Sequence, residues 1–394
     1  MDFNMLNNLD NNNDKSPKKQ LNKKKIIKLI IIIIAIILFI TMIILYIKNT
    51  SFRDFFDKYI FRKEVYENNL DVITLNEEDN NYTYAFAKNI IVLNANTLDI
   101  YNSSGKKEHS LNVEITNPIF DSNNEFLVVA EESGHKLYVI SNNNILWQKN
   151  IDGDIINVTI NKNGYVAVVV GNTGYKTIII TFDSNGNSLF NTFLATKYTV
   201  DVAISEDNKY LAIAEVNFSG TLIQSNIEII SIEEQKNTYD YKAESNKMII
   251  NIEYQEKDKL VCMYDDSIHI IENNNDTELM KYDYKNTLFM DINLSSHIAQ
   301  IEKISSGLLN SNSQIKFTNI INNSSNSYEL GGIPKNIYSY KDITAINLGT
   351  EAIFVKTSGW LSKRYKSSQE IRDIVLTNNI AGIVYKNKIE IVKL

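Results

Sequence analysis

Short, continuously apolar segments recur in the same local context along most of this chain. They begin at Asn89, Glu125, Gly164, Lys209 and Lys259, with weaker copies at Ser296, Asp342 and Asn379. Consecutive copies start 36, 39, 45, 50, 37, 46 and 37 residues apart. A sequence that repeats at such intervals is typical of architectures that build one small supersecondary unit per repeat.

Each repeat predicts a small antiparallel sheet. From about residue 82 onward helical periodicity is almost absent, and Asn, Asp, Ser and Gly separate the apolar runs. In the copy at Gly164, an inner strand ends at 158–163, and further strands follow at 176–182 and 188–195. A continuously apolar second strand is what burial on both faces requires. We therefore predict an all-β fold, a β-propeller with eight blades favoured, and seven if the copy at Ser296 or Asp342 is an insertion.

The last repeat is one strand short. It contains apolar runs at 371–376, 380–385 and 388–393, but no fourth run follows them. A segment before the first repeat, residues 65–75, is expected to supply the missing strand. Pairing the two ends in this way would close the ring and remove its exposed edges.

A single apolar run near the N-terminus predicts a membrane anchor. Residues 29–47, from Leu29 to Ile47, carry no charge and are bracketed by Lys28 and Lys48. In a helix, 19 residues at about 1.5 Å each reach across most of a bilayer core of roughly 30 Å. The run is longer than the apolar region of a signal peptide, and no small-x-small cleavage pattern follows it. We therefore expect a retained transmembrane helix at 26–47.

The flanking charges predict the orientation of this span. A dense block precedes it, and a looser group follows it at Lys48, Arg53, Lys58, Arg62 and Lys63. The block consists of Lys15, Lys18, Lys19, Lys23, Lys24, Lys25 and Lys28. Flanks rich in lysine and arginine stay on the cytoplasmic side of a membrane span. We therefore expect a cytoplasmic tail at 1–25, a juxtamembrane segment with the closing strand at 48–75, and a propeller at 76–394 on the extracytoplasmic side of the cell membrane.

The juxtamembrane segment has an amphipathic pattern. Its apolar face consists of Phe52, Phe55, Phe56, Tyr59 and Ile60 at helical spacing. Ser51 and Asp54 match the signature of a helix N-terminus. Two interpretations stay open, a helix lying in the outer headgroup layer and a helix that packs against the propeller.

Net charge argues against a nucleic-acid partner. Residues 1–63 contain 12 basic and 5 acidic residues, whereas residues 64–394 contain 28 basic and 42 acidic residues. Binding to phosphates needs a basic surface. The lysine block is better explained by topology and by attraction to lipid headgroups.

Signatures of catalysis, of metal binding and of cofactor binding are missing from the sequence, so we predict no catalytic, metal-binding or cofactor-binding residues. The histidines, His109, His135, His269 and His297, fall in different repeats without partners at ligand spacing. The turn at 183–187 resembles a calcium loop but lacks the required glycine and glutamate. Trp147 and Trp360 are expected to dock blades together, and Cys262 is expected to be a buried apolar residue.

Several segments resemble known propellers. They are residues 144–149 (NILWQK), 183–187 (DSNGN) and 205–212 (SEDNKYLA), which are similar to quinoprotein-like and WD-repeat-like superfamilies. The anchor, residues 55–63 (FFDKYIFRK) and the repeats together resemble an uncharacterised family of bacterial membrane-anchored propeller proteins. The resemblance implies the fold and no particular activity.

Two hypotheses of function follow. The first is a membrane-anchored extracytoplasmic propeller, not an enzyme, that binds or scaffolds proteins or cell-envelope components. The alternative is an envelope glycan hydrolase or lyase with carboxylates in the central funnel, for which paired carboxylates about 5–10 Å apart would be required.

Overall fold

The computed structural model describes residues 23–61, 63–66, 70–94, 96–123, 125–172, 174–256, 259–306 and 311–394. Two compact units are present, and the second begins at Lys63. Most of the predicted cytoplasmic tail, including Lys15, Lys18 and Lys19, lies outside the described residues.

The first unit is helical. It comprises α1 (Lys23–Lys48), α2 (Thr50–Phe55) and a π-helical turn (Phe56–Ile60). Within α1, the segment Ile27–Lys48 is long and apolar enough to cross a membrane. The Tyr46 hydroxyl donates a hydrogen bond of 2.5 Å to the carboxylate of Asp57, which is buried. This bond joins the end of α1 to the π-helical turn.

The predicted start of the juxtamembrane helix is wrong by two residues. The N-cap of α2 is Asn49, whose side chain accepts a hydrogen bond of 3.0 Å from the backbone N–H of Phe52. Ser51 instead lies inside α2. Asn49 has the extended backbone that an N-cap requires, and asparagine satisfies the first free N–H groups of a helix as well as serine does.

The second unit is a propeller of eight blades, each a sheet of four strands from the channel outward, with one additional strand in blade 7. The innermost strands are β3 (Tyr82–Phe86), β7 (Pro118–Asn123), β11 (Asp154–Ile160), β15 (Tyr198–Ile204), β19 (Ile249–Glu256), β23 (Thr287–Asp291), β27 (Asn336–Tyr340) and β31 (Asp373–Leu376). The second strands are β4 (Asn89–Leu93), β8 (Phe126–Glu131), β12 (Val166–Asn172), β16 (Tyr210–Asn217), β20 (Lys259–Tyr264), β24 (His297–Ser306), β28 (Ile343–Asn347) and β32 (Ile380–Val384).

The third strands are β5 (Thr97–Tyr101), β9 (Lys136–Ser141), β13 (Tyr175–Phe182), β17 (Gln224–Ser231), β21 (Ser267–Glu272), β25 (Ser311–Asn319), β29 (Glu351–Lys356) and β33 (Lys388–Lys393). The outer strands of blades 1 to 7 are β6 (Lys107–Asn112), β10 (Asn144–Asn150), β14 (Ser188–Leu194), β18 (Lys236–Lys242), β22 (Asn275–Lys281), β26 (Ser325–Leu330) and β30 (Leu361–Lys366). The prediction of an all-β propeller with eight blades is confirmed. In all eight blades the second strand begins within two residues of a predicted repeat start.

The core is divided among the blade interfaces. Eight hydrophobic clusters are present in the described chain, and each lies between two neighbouring blades. The second strands belong to the clusters on both of their sides. In β4, for example, Ile91 and Leu93 pack toward blade 2, whereas Ile90 and Val92 pack toward blade 8. Burial on both faces explains why these strands are continuously apolar.

Two short strands, both from the segment that precedes blade 1, join the last two blades. β2 (Asp71–Thr74) is the outer strand of blade 8 and pairs antiparallel with β33. β1 (Glu64–Tyr66) is a fifth strand of blade 7 and pairs parallel with β30. Ile73 on β2 is buried in the cluster between blades 8 and 1. A segment far from blade 8 in sequence therefore completes its sheet.

Glycines in three turns let the outer strand of one blade approach the next blade. They are Gly105, Gly186 and Gly359, which lie between the third and outer strands of blades 1, 3 and 7. All three have a positive φ. A Cβ at Gly186 would lie 2.8 Å from the Trp147 ring, and one at Gly105 would lie 3.2 Å from the carbonyl oxygen of Val72 on β2. Gly105 is thus the position at which blade 1 receives the closing strand.

We predict that Gly105→Ala destabilises the propeller by about 1–2 kcal/mol more than Gly174→Ala, because only the first substitution crowds β2. Gly174→Ala is the control for backbone strain: its φ of 100° is also positive and lies further from the left-handed helical conformation than the 71° of Gly105, but a Cβ added there would meet nothing within 4 Å. Thermal unfolding of the full chain in detergent would measure both variants. Equal losses would mean that the contact between blade 1 and β2 contributes nothing to ring closure.

Candidate binding site at the end of the central channel

The innermost strand of each blade has one edge that faces the channel, so part of its backbone N–H groups lacks a partner within the sheet. Aspartates from alternate blades satisfy three of these donors. Asp121 on β7 accepts from Ile160 on β11, Asp201 on β15 accepts from Ile252 on β19, and Asp291 on β23 accepts from Ser339 on β27; the N–O distances are 2.7, 3.0 and 2.9 Å. Blades 2 and 3, 4 and 5, and 6 and 7 are joined in this way.

The second oxygen of each carboxylate is also engaged. Asp121 accepts from the backbone N–H of Ser122 at 2.8 Å, and Asp291 accepts from that of Asn293 at 2.8 Å. Asp201 accepts from Val202 at 2.9 Å and from the Asn157 amide at 3.2 Å. These aspartates, which we call the channel aspartates, are therefore part of the framework that holds the innermost strands.

The channel aspartates lie in surroundings that oppose their charge. Burial is the main cause that raises the pKa of Asp121 and Asp291, although backbone hydrogen bonds act against it. Burial and the charge of Asp121 raise the pKa of Asp201 to about 6, again against its backbone hydrogen bonds. The three groups thus bind protons more readily in the folded chain than in the unfolded chain.

A cavity of about 490 Å³ opens at the channel end where the innermost strands finish. We call it the mouth. It is lined by side chains from both sides of the ring, which include Tyr84, Phe120, Asp121, Lys162, Glu206, Glu253, Tyr338 and Lys341. Its volume lies in the range of small-molecule and peptide-anchor sites.

One wall of the mouth is aromatic and another is charged. The rings of Tyr84 and Phe120 stack with centroids 5.0 Å apart, and the Tyr84 hydroxyl accepts a hydrogen bond of 3.4 Å from the Ser122 hydroxyl. Opposite in charge, Lys162 and Glu206 form an ion pair of 2.7 Å. Stacked rings beside hydrogen-bonding groups can hold either a sugar ring or a peptide side chain.

Glu253 is the carboxylate of the mouth that the framework does not use. The described residues offer its side chain no hydrogen bond or ion pair. Burial first, and then the charges of Asp121, Asp201, Asp291 and Glu206, raise its pKa well above the usual value. Glu253 is therefore the group here that a bound ligand could engage as a hydrogen-bond donor or acceptor.

The histidines of the sequence lie apart from one another. His109 is exposed on β6, His135 contacts the carbonyl oxygens of Ile151 and Gly153, His269 contacts Asp276, and His297 contacts Asn319. In the described part of the chain, no group of three His, Cys, Asp or Glu residues is placed to hold a metal ion. The prediction that the chain has no catalytic, metal or cofactor residues stays a prediction.

Asp183, Trp147 and Cys262 are part of the framework of the fold. Asp183 accepts hydrogen bonds from the backbone N–H groups of Asn185 and Asn187 within its own hairpin turn. Trp147 donates to the carbonyl oxygen of Ser184 at 3.1 Å and so docks blade 2 on blade 3. Trp360 is half-exposed before β30, and Cys262 is fully buried on β20.

Sequence reasoning missed the channel aspartates and Glu253. Each is one acidic residue on an inner strand, and single acidic residues also occur in many turns of this sequence. The signal that could have revealed the channel aspartates was the recurrence of Asp121, Asp201 and Asp291 in alternate repeats.

Comparisons with known proteins identify the family of this chain. A family described as a family of unknown function, DUF5711, matches residues 61–394. The chain belongs to DUF5711. No curated protein matches this DUF5711 chain.

The DUF5711 chain is similar to solved structures. BamB from Moraxella catarrhalis superimposes with a TM-score of 0.52 at 12% identity, covering 82% of this chain and 98% of BamB. Hsv2 from Kluyveromyces lactis gives a TM-score of 0.49 at 11% identity, covering 73% of this chain and 99% of that one. At such identities the BamB similarity shows the fold alone.

We predict that the DUF5711 propeller is more stable at pH 5 than at pH 7.5. The folded pKa of Asp201, about 6, exceeds the unfolded value of about 3.9. Its stabilising contribution is therefore complete below about pH 4 and is lost as the pH rises through 6. Burial and the charge of Glu215 raise the pKa of Glu228 to about 7, so Glu228 also makes the fold more stable at the lower pH. Burial lowers the pKa of His297, which has the opposite effect on stability.

Melting curves at the two pH values test this prediction. Asp201→Asn keeps an oxygen that can accept from Ile252 but cannot titrate, so it should reduce the difference in stability. Asp183→Asn is the control, because its slight burial is outweighed by hydrogen bonds within its turn, which lower the pKa of Asp183 and place its titration below this window. A pH dependence that Asp201→Asn leaves unchanged would contradict the prediction.

Proposed function

We propose that this chain is a membrane-anchored, extracytoplasmic binding module that holds proteins or cell-envelope components at the faces of its propeller. The observation that carries the proposal is the mouth, a preformed cavity with an aromatic wall, a charged wall and one carboxylate without a structural partner. Such a combination fixes a ligand by stacking and by a few hydrogen bonds.

The way the channel carboxylates are used supports binding over hydrolysis. Glycoside cleavage needs two carboxylates that can exchange protons with the substrate. Asp121, Asp201 and Asp291 hold backbone N–H groups instead, and removing one would leave a buried donor unpaired. Glu206 is paired with Lys162, which leaves Glu253 as the carboxylate of the mouth that has no partner among the described residues. A single carboxylate serves binding without a second one.

The anchor and its flanks support the location. α1 has the length and composition of a membrane span, and the lysine block on its N-terminal side favours a cytoplasmic N-terminus. The exposed Phe55, Tyr59 and Phe61 that follow the span have the chemistry of the headgroup region. An anchor of this kind would keep the propeller at the membrane.

Protease added to intact cells should cut loops of the propeller, because we expect them outside the membrane. Proteolysis of cells that express the full chain with a cytoplasmic N-terminal tag would show it: the propeller fragment shortens while the tag survives. Protection of the whole chain until lysis would contradict the orientation.

A photo-reactive amino acid at Phe120 should form covalent adducts in cells, because Phe120 lines the mouth. The matched control carries the same group at His109, which is exposed on an outer strand far along its blade from the channel. Glu253→Gln should weaken adduct formation. Neither the native chain nor this variant should release sugars from isolated envelopes. Release of reducing sugar ends by the native chain, lost in Glu253→Gln, would favour the hydrolase instead.

A further inference from the structure

Eight large apolar side chains are exposed at one face of blades 3 to 5, where the innermost strands begin. They are Ile156, Tyr175, Phe193, Tyr198, Phe218, Leu222, Met248 and Ile250. All belong to strand starts, strand ends or the loops between them at the same face. We call this set the apolar face. It lies at the channel end opposite to the mouth.

Contacts show that the apolar face is continuous across the three blades. Tyr175 and Phe193 pack with ring centroids 5.0 Å apart, and Tyr198 and Phe218 pack at 6.2 Å. The ammonium group of Lys176 lies 5.1 Å from the Tyr198 ring and connects the two pairs. The loop that carries Leu222 contacts the loop that carries Met248, because the backbone N–H of Asn246 donates to the carbonyl oxygen of Ile223 at 3.0 Å.

The size of the apolar face suits a protein partner. Its members are each exposed over about a third to a half of their surface. At roughly 150–250 Å² per large side chain, they present on the order of 600 Å² of apolar surface. That is the upper end for patches on soluble monomers, and it approaches the roughly 800 Å² that each partner contributes to a stable interface.

Charges around the apolar face indicate the partner's chemistry. Exposed carboxylates border it at Asp152, Asp154 and Asp265, and Asp265 accepts from the backbone N–H of Met248 at 3.2 Å. Two lysines of the same face are neutralised: Lys197 pairs with Glu215 at 2.5 Å, and Lys247 pairs with Asp266 at 3.4 Å. The exposed Lys176, Lys242 and Glu244 belong to the same face, so outside the two pairs four carboxylates stand against two lysines and the rim is negatively charged on balance. The propeller as a whole carries 42 acidic and 28 basic residues between positions 64 and 394.

This charge argues against two other occupants. A second copy would bring the same acidic rim against itself across a two-fold axis. An anionic lipid surface attracts basic segments and repels acidic ones. A protein segment with complementary positive charge gains electrostatic attraction at both edges of the apolar contact.

We infer that the apolar face is a docking site for a segment of a partner protein that presents apolar side chains flanked by lysine or arginine. The inference rests on the proposed binding function and assigns it a second, separate surface. Aromatic side chains such as Phe193 and Phe218 supply the central anchors, and Asp152 and Asp154 select basic flanks.

Selection from a library of random peptides displayed on phage tests the inference with the full chain in lipid nanodiscs. Bound peptides should combine apolar residues with lysine or arginine. The variant Phe193→Ser/Phe218→Ser should bind them at least about tenfold more weakly, which corresponds to roughly 1.4 kcal/mol. Leu146→Ser/Ile321→Ser is the matched control, because those side chains are 49% and 61% exposed but lie on blades 2 and 6.

A charge reversal tests the rim. Asp152→Lys/Asp154→Lys should shift the selected peptides from basic to acidic flanks. Equal binding to the Phe193→Ser/Phe218→Ser variant, selection of acidic peptides by the native chain, or an absence of selected peptides would overturn the inference. So would light scattering that shows dimers lost in the same variant, or flotation with anionic vesicles that depends on these two residues. Loss of adducts at Phe120 in cells would instead count against the mouth and leave this face unaffected.

Discussion

In each blade the second strand is buried on both faces, and the rest of the structure depends on this constraint. Such a strand needs a neighbouring blade on each side, so a row of blades would leave apolar surface at both of its ends. Closure into a ring removes those ends, and it requires blade 8 to meet blade 1. β2 provides this contact by pairing with β33 and by placing Ile73 in the cluster between the two blades.

The ring geometry creates a second requirement at its centre. Eight innermost strands converge with one edge unpaired, and buried N–H groups without partners are costly. The channel aspartates meet part of this requirement, and their burial raises their pKa values. The same side chains therefore stabilise the fold and place negative charge in the channel. Glu206 is paired with Lys162, so Glu253 is the carboxylate of the mouth without a partner among the described residues.

The sequence predicted those features that arise from local pattern. Period and continuous apolar runs placed all eight second strands, because double burial acts on each residue of the run. β1 escaped prediction, since three residues carry no periodic signal and parallel pairing with β30 is set by tertiary structure. The apolar face was also missed, because Phe193 at the end of β14 and Phe218 and Met248 in separate loops are brought together only by the ring.

The parallel pairing of β1 has a mechanical consequence. Tension that arrives along the chain from its N-terminal side meets β1 before it meets β2. β1 is held on β30 by three register pairs, by a hydrogen bond of 3.0 Å from the Arg364 backbone N–H to the Lys63 carbonyl oxygen, and by an ion pair of 3.6 Å between Glu64 and Lys366. Blade 7 would bear the first load, and the strand that closes the ring would be shielded from such a pull.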